Sequence, residues 1–473
     1  MTSNRPHALF SKRAAGALLH PTSLAGGHGI GDLGPAARSF VDWMHEAGLG
    51  LWQMLPIGPA GLGNSPYSGK SAFAGEPLLI SLHDLAEDGL LKPSSVRCPK
   101  DLNRERVNYV AARRFKKARL KEAYLNFSAS RRTSSRSFRE FKQRNRYWLS
   151  GWCDYAGGDH DEHVFQQYIF DRQWNSLRRY ANQRKVRLIG DLPLFVELDS
   201  ADVQQHPELF NLDRDGKPRT VTGAPPDGFN SDGQLWRHPH YRWASHRAEN
   251  WRWWTARFKQ GLERFDAIRL DHFLGFVRLW HVPASAPTAR RGTWKPTPGR
   301  ELLSILRKRI GPLPIIAEDL GAITPPVERL RNDFGFPGMR ILQWAFASST
   351  STDLPHRYPS AAVVYPGTHD NETATGWARR LPKEQRRRFE AYADPNGAPA
   401  RAMVRLAMTS PAVWAISMVQ DLLELPPSTR MNRPGIPRGN WTWRLSAGTL
   451  SSHQAGRIRN LSEASGRLPG VAS

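Results

Sequence analysis

Four short apolar runs in this 473-residue chain each end in residues that handle protons or charge. RLIGDLPLFV (187–196) carries Asp191 and DAIRLDHF (266–273) carries Asp271-His272. PIIAEDLG (314–321) carries Glu318-Asp319, and AAVVYPGTHDN (361–371) carries His369-Asp370. An isolated acid at a strand end is ordinarily a helix cap or a turn former. Four on one rim are harder to dismiss, because clustered carboxylates repel and destabilise a fold. Side chains alternate along a strand, so Arg269 and Asp271 point the same way, and a guanidinium beside a carboxylate favours its ionised form, which a nucleophile needs. Glu318 follows the apolar PIIA stretch, where desolvation favours the protonated form that a general acid needs. Two carboxyl groups driven apart in this way are the acid and the nucleophile of glycoside chemistry. The competing reading of Arg269 and Asp271 is a structural ion pair inside the fold.

These runs belong to a series. Candidate strands fall at 16–21, 51–57, 187–196, 266–273, 314–321, 339–344, 361–371 and 415–423, several followed by helical stretches such as 35–48 and the Pro-opened PPVERLRNDFG. Apolar strands alternating with helices indicate a parallel sheet covered on its outside, and eight such units predict an α/β fold, a (β/α)₈ TIM barrel with mainly helical insertions at the C-terminal face of the strands. In such barrels the active site lies at the C-terminal strand ends, where the acids fall. Residues 1–473 then form one catalytic barrel. Residues 58–185 are expected as an inserted, mainly helical subdomain, 197–250 as a lid-like loop region, and 447–473 as a C-terminal tail.

The composition removes other classes. Hydrophobic residues make up 40% and charged residues 23%, so the chain is neither disordered nor of low complexity. No apolar run approaches the ~20 residues that cross a bilayer, so no membrane partner is expected. Two cysteines, Cys98 and Cys153, exclude a disulfide framework and a cysteine-based zinc site and fit a reduced, cytoplasmic compartment. The N-terminal segment lacks the apolar core of a signal peptide and is expected to enter the first strand. The net charge of +24 is concentrated at 101–150, where 15 Lys and Arg face 4 Asp and Glu. That segment carries no nucleic-acid-binding signature and is expected as a solvated helical face, with no nucleic-acid partner. The Asp159-His160-Asp161-Glu162-His163 run has metal-ligand residue types but is expected to open a helix, so no metal site is assigned. There is no G-x-x-x-x-G-K-[ST] and no G-x-S-x-G. GPAGLGNSPYSG (58–69) is expected as a rim loop presenting Ser65 and Tyr67. The 17 tryptophans suit stacking on sugar faces, although most must be core residues.

The ordered motifs LLHPTSL (18–24), GIGDLG (29–34), WQMLPIGP (52–59), SPYSGKSAFAGEPLLI (65–80), GDLPLFV (190–196), LDSADV (198–203), HPELF (206–210), GAPPDGF (223–229), GQLW (233–236), RLDHF (269–273), AEDLG (317–321), GTHDN (367–371), RMNRPG (430–435) and GNWTWRL (439–445) resemble the 4-α-glucanotransferase (amylomaltase or disproportionating-enzyme) family, relatives of the α-amylases. The resemblance runs over about residues 16–445. It implies retaining transfer of α-1,4-glucan segments from a maltodextrin, starch or glycogen-fragment donor to the 4-hydroxyl of glucose or another maltodextrin, without metal or organic cofactor. It makes Asp271 the nucleophile, Glu318 the general acid/base and Asp370 the transition-state stabiliser. Arg269 and His369 would support the same subsite, and Asp191, Tyr67 and Trp236 would line the substrate groove, with Ser65, Gln234 and Asn371 as further substrate-binding candidates. The chain departs from the family pattern at Leu62 and Gly228, where an aromatic residue is common, and at Arg237, where glycine is usual. An α-glucan hydrolase of the same clan is the nearest alternative. A polyanion-binding protein on a degenerate barrel is the remote one.

Overall fold

A computed structural model describes residues 6–470 apart from 103–104, 131, 227–229, 322, 394–396 and 437; Gly228 thus lies outside the described residues. The described residues form twelve strands: β1 (Ala14–Leu18), β2 (Leu51–Gln53), β3 (Arg187–Leu192), β4 (Thr220–Ala224), β5 (Gln234–Pro239), β6 (Ala267–Leu270), β7 (Arg278–Pro283), β8 (Thr293–Pro296), β9 (Ile315–Ala317), β10 (Gly338–Ile341), β11 (Ala362–Tyr365) and β12 (Trp414–Met418). Eight close a parallel barrel in the order β1-β2-β3-β6-β9-β10-β11-β12, with β12 returning to β1. Both faces of such strands are covered, and β6, β9, β11 and β12 are buried along their whole length.

The barrel strands are shorter than their apolar runs. The run 361–371 pairs only as far as Tyr365, and 51–57 only as far as Gln53. Beyond those points the chain turns into the rim, so the strand-end residues stand above the ladder, not inside it.

The remaining four strands form an antiparallel sheet, β5-β4-β7-β8. This corrects the expectation of a loop region at 197–250. That excursion contains a helix at Ala201–Gln205, strands β4 and β5, and a helix at Trp243–Ala248. β4 pairs with β7 from the next excursion, with Thr222 opposite His281, so two rim segments are stitched into one sheet.

The excursion after β2 carries helices at Leu82–Glu87, Tyr109–Ala129, Arg136–Arg144, Leu149–Ala156 and His160–Gln183. Asp159 caps the last, accepting from the backbone N–H of Asp161 and Glu162. Much of the basic segment lies in solvent, but Lys116 is fully buried. Its ammonium donates to Asp32 Oδ2 at 3.1 Å and to the carbonyls of Leu78 and Ile80 at 2.7 and 2.8 Å. Asp32 Oδ1 in turn accepts from Gly34 N–H, at the start of the first barrel helix, Pro35–Glu46. This buried ion pair ties an inserted helix to the barrel, as do the more exposed pairs Arg38–Asp84 and Arg178–Asp266.

Residues 447–473, expected as a tail, contain a helix at Ser452–Ala464 with a reciprocal capping box between Ser451 and Gln454. Arg467 behind it is fully buried and donates to the carbonyls of Ala14, Met408, Ser410, Ala412 and Val413. A charged residue at the end of a weakly periodic segment gave no sign of burial. Its role follows from the carbonyls it satisfies at the N-terminal ends of β1 and β12.

Removing one partner of a buried pair strands the other charge. Lys116→Met is expected to destabilise the protein by about 3–5 kcal/mol, as measured by denaturant unfolding. Exposed Lys117→Met should change stability by less than ~0.5 kcal/mol.

Candidate active site

The register of the barrel decides which acids meet. Asp191 on β3 pairs with Arg269 on β6, and Arg269 pairs with Ile316 on β9. Two residues further along, Asp271 and Glu318 are therefore neighbours on the rim. Their backbones continue the ladder, with Asp271 N–H donating to Leu192 O and Glu318 N–H to Leu270 O, each at 3.1 Å.

Arg269 is buried and stands between two carboxylates. Its Nη1 lies 2.9 and 2.7 Å from the two oxygens of Asp191 and 3.0 Å from Asp271 Oδ1. Burial works against its charge, yet Asp191 and Asp271 raise its pKa well above the usual value. Asp191 is also buried, which pushes its carboxyl up to about 7 against the pull of Arg269. The Tyr67 hydroxyl donates to Asp191 Oδ2 at 2.7 Å. Burial, then the charge of Asp191, lift the Tyr67 phenol well above its ordinary value, so it keeps the proton it donates.

Glu318 has one strong local partner, the His272 N–H, 2.7 Å from its Oε2. Burial raises its carboxyl well above the ordinary range against the pull of Arg269, and the nearby Asp271 pushes in the same direction. His272 reaches this position through a left-handed backbone (φ 51°). That bend is uncommon for a residue with a side chain, and here it aims the N–H at Glu318. The adjacent Asp319 serves elsewhere: it accepts from Met339 N–H at 2.7 Å and pairs with Arg331.

On the opposite rim, His369 stacks on Tyr67, with ring centroids 5.1 Å apart and planes 17° apart, and Trp441 lies 6.0 Å from His369. Burial lowers the His369 pKa, which favours the neutral ring. Asp370 is half exposed (49%) and faces outward. Asn432 donates to its Oδ1 at 2.6 Å, and Arg430 donates to its backbone carbonyl at 2.7 Å. Asn432, Arg430 and Trp441 had no role from sequence. They lie in irregular segments, and the only signal was their place in RMNRPG and GNWTWRL.

Trp236, in the segment expected as a lid-like loop, belongs to the rim sheet. It sits half-buried on β5, not exposed on a loop, with its ring edge-on to His272 at 4.8 Å. Its Nε1 donates to Gln234 Oε1 at 3.2 Å. Arg237 beside it is left-handed (φ 67°), a conformation in which glycine carries no strain. Thus Asp191, Arg269, Asp271, Glu318, Tyr67 and His369 form one connected group, with Asp370 joined through His369 and Trp236 through His272. Ser65, Gln234 and Asn371 make local bonds: Ser65 Oγ accepts from Tyr67 N–H, and Asn371 Oδ1 accepts from Thr368. Leu62 on the rim loop is 86% exposed. Among the described residues, no group of three or more His, Cys, Asp or Glu is placed to hold a metal ion.

A parallel eight-stranded barrel with a shared guanidinium, a desolvated carboxylic acid and an ion-paired carboxylate at its mouth defines a (β/α)₈ fold equipped for acid and nucleophile chemistry. The chain belongs to the 4-α-glucanotransferase family, whose model matches residues 19–157 and 156–450. It is 41% identical to the 4-α-glucanotransferase of Thermus thermophilus, over 96% of this chain and 99% of that one. It is 40% identical to that of Aquifex aeolicus, over 92% of this chain and 95% of that one. Among solved structures, the amylomaltase from Streptococcus agalactiae in complex with acarbose superposes with a TM-score of 0.92 at 34% identity, covering 96% of this chain and all of that one.

The raised Glu318 pKa carries a stability consequence. Below the unfolded carboxylate value the folded and unfolded chains are both protonated there, and no penalty exists. As pH rises toward the raised folded value the unfolded chain ionises first, and stability falls. Glu318→Gln removes this penalty while keeping an acceptor for His272 N–H. Its melting temperature is expected to exceed wild type by about 1–2 °C at pH 7.5 and to match it near pH 4. Scanning calorimetry across pH checks the sign.

Proposed function

We propose that the enzyme moves α-1,4-glucan segments by double displacement with retention, using Asp271, Glu318 and Asp370 as catalytic residues. The observation that carries this reading is the division of labour around Arg269. One carboxylate, Asp271, is ion-paired with it, while Glu318 beside it is desolvated toward its protonated form.

The chemistry follows from that division. Glu318 gives its proton to the glycosidic oxygen as Asp271 attacks the anomeric carbon. The bond to the leaving sugar breaks and a glycosyl ester with Asp271 forms. Glu318, now ionised, takes the proton of an incoming sugar 4-hydroxyl, whose oxygen attacks the ester and releases Asp271. Asp370, oriented by Asn432 and Arg430, holds the hydroxyls of the reacting sugar. Tyr67 and Asp191 hold Arg269 in register, and His369, stacked on Tyr67, closes the subsite floor.

The donor is a maltodextrin, or a fragment of starch or glycogen, and the acceptor is glucose or a second maltodextrin. The support is family membership together with aromatic rings around the carboxyl groups, Trp236 against His272 and Tyr67 against His369 and Trp441. Transfer in place of hydrolysis requires the acceptor sugar to cover the ester while water is kept out. Trp236, edge-on to His272 next to the nucleophile, is the apolar surface suited to this. With two cysteines in 473 residues, too few for a disulfide framework, we place the enzyme in the cytoplasm.

Incubating purified protein with maltotriose tests the reading. Glucose and a ladder of longer maltodextrins support transfer; glucose and maltose alone would mean hydrolysis. Asp271→Asn, which cannot form the ester, is expected to lose at least 10³-fold in disproportionation while the chain still folds, Asp191 remaining as the counter-ion of Arg269. Activity above a trace would remove Asp271 from the nucleophile's role. Trp236→Ala is expected to weaken acceptor binding by about 1–2 kcal/mol, raising the ratio of new reducing ends to transfer products. An unchanged ratio with a lowered melting temperature would make Trp236 a packing residue only.

A further inference from the structure

At the other end of the barrel, away from the catalytic carboxylates, the N-terminal ends of β1, β2, β3, β6 and β12 surround a cavity of about 400 Å³. Four cations line it: Lys12, Arg13, Lys185 and Arg187. The acid on its wall, Asp266, is already committed. Its Oδ1 accepts from Arg178 at 2.8 Å, and its Oδ2 accepts from Leu188 N–H at 2.8 Å. Arg13 is spent on carbonyls, donating to Ser410 at 3.0 Å and Met408 at 3.2 Å. Lys12, Lys185 and Arg187 have no carboxylate within ion-pair distance among the described residues. Three exposed cations around one cavity, none of them ion-paired among the described residues, raise the local potential and favour an anion.

The cavity is built by the fold. Lys185 sits in a left-handed turn (φ 61°) between the helix His160–Gln183 and β3, a conformation costly for a residue with a side chain. Its side chain lies along Gly470, where even a methyl group would touch the ammonium at 2.8 Å. The segment holding Gly470 is fixed by the buried Arg467, which ties it to the carbonyls of Ala14, Ala412 and Val413 at the same end of the barrel. Leu51 and Pro469 add an apolar side. A volume of this size exceeds that of a bare phosphate and lies in the range of small-ligand pockets.

We propose that this cavity binds a small organic phosphate, its phosphate on Lys12, Lys185 and Arg187 and its organic body against Leu51 and Pro469. The phosphomonoester dianion is the chemistry recognised, whether it comes on a sugar or a nucleoside. The site lies at the end of the barrel opposite the one where glucan is processed, so occupancy adds stability by mass action without competing for substrate.

Thermal-shift and calorimetric titration with glucose 1-phosphate, AMP and inorganic phosphate tests this. At least one organic phosphate is expected to bind with a dissociation constant below 1 mM and to raise the melting temperature, with affinity falling as salt is raised. Binding should weaken at least tenfold in Lys185→Glu/Arg187→Glu and by a smaller factor in the milder Lys185→Gln/Arg187→Gln pair. It should persist in Arg114→Glu/Lys117→Glu, which makes the same charge change on the exposed inserted helix. Both Lys185/Arg187 double variants should keep wild-type maltotriose disproportionation without anion. Glucose 1-phosphate binding alone would make the source a sugar phosphate, and AMP alone a nucleotide. No binding of any probe, or equal loss in the Arg114/Lys117 variant, would overturn the site. Inorganic phosphate binding as tightly as the organic phosphates would overturn the role given to Leu51 and Pro469.

Discussion

One buried guanidinium organises the mouth of this barrel. Arg269 is shared between Asp191 and Asp271, and among the described residues neither carboxylate has a second ion pair. Breaking a buried, hydrogen-bonded charge pair costs several kcal/mol, so the register that keeps Asp191 opposite Arg269 is strongly specified. The same register sets Asp271 beside Glu318. The left-handed turn at His272 completes the arrangement by giving Glu318 a backbone donor without a second cation. Glu318 is thereby left in an environment that resists ionisation, while Asp271 keeps its counter-ion. Two carboxyl groups on adjacent strands thus sit in opposite electrostatic environments, the difference on which the proposed mechanism rests.

The parts of the site that were legible in sequence sit where backbone geometry is regular. Asp271 and Glu318 each follow a short run that has no choice but to be a buried strand, and alternation then places Arg269 with Asp271. Asn432, Arg430 and Trp441 approach from irregular segments whose path no periodicity encodes, so their contacts with Asp370 and His369 emerge only in three dimensions. The rim sheet was illegible for a related reason. β4, β5, β7 and β8 are four to six residues long, bounded by Pro and Gly, and pair across two separate excursions of the chain. The helix Ser452–Ala464 buries only Ala455, Ile458 and Ser462, too narrow a stripe to stand out, and its anchor, Arg467, has the residue type least expected in a core.

The charge of +24 has several separate fates in the fold. Lys116 and Arg467 are structural cations, each answering backbone carbonyls that would otherwise be buried without a donor. Arg269 is the buried cation of the candidate site, shared by Asp191 and Asp271. Residues such as Arg114 and Lys117 are solvated surface. At the barrel's N-terminal end, cations without an ion pair among the described residues line a cavity. Net charge by itself therefore says little about partners; placement relative to acids, carbonyls and empty volume decides.

The central claim is that the group shared with Arg269 becomes covalently attached to sugar. The direct measurement uses 5-fluoro-α-D-glucosyl fluoride, whose good leaving group speeds formation of the ester and whose ring fluorine slows its turnover. Intact-mass and peptide mass spectrometry then locate the adduct. The account predicts one glycosyl unit per chain, on the peptide containing Asp271, absent from Asp271→Asn and displaced by added maltose. An adduct on Glu318 or Asp370, or turnover of the reagent with no adduct at any time, would contradict it.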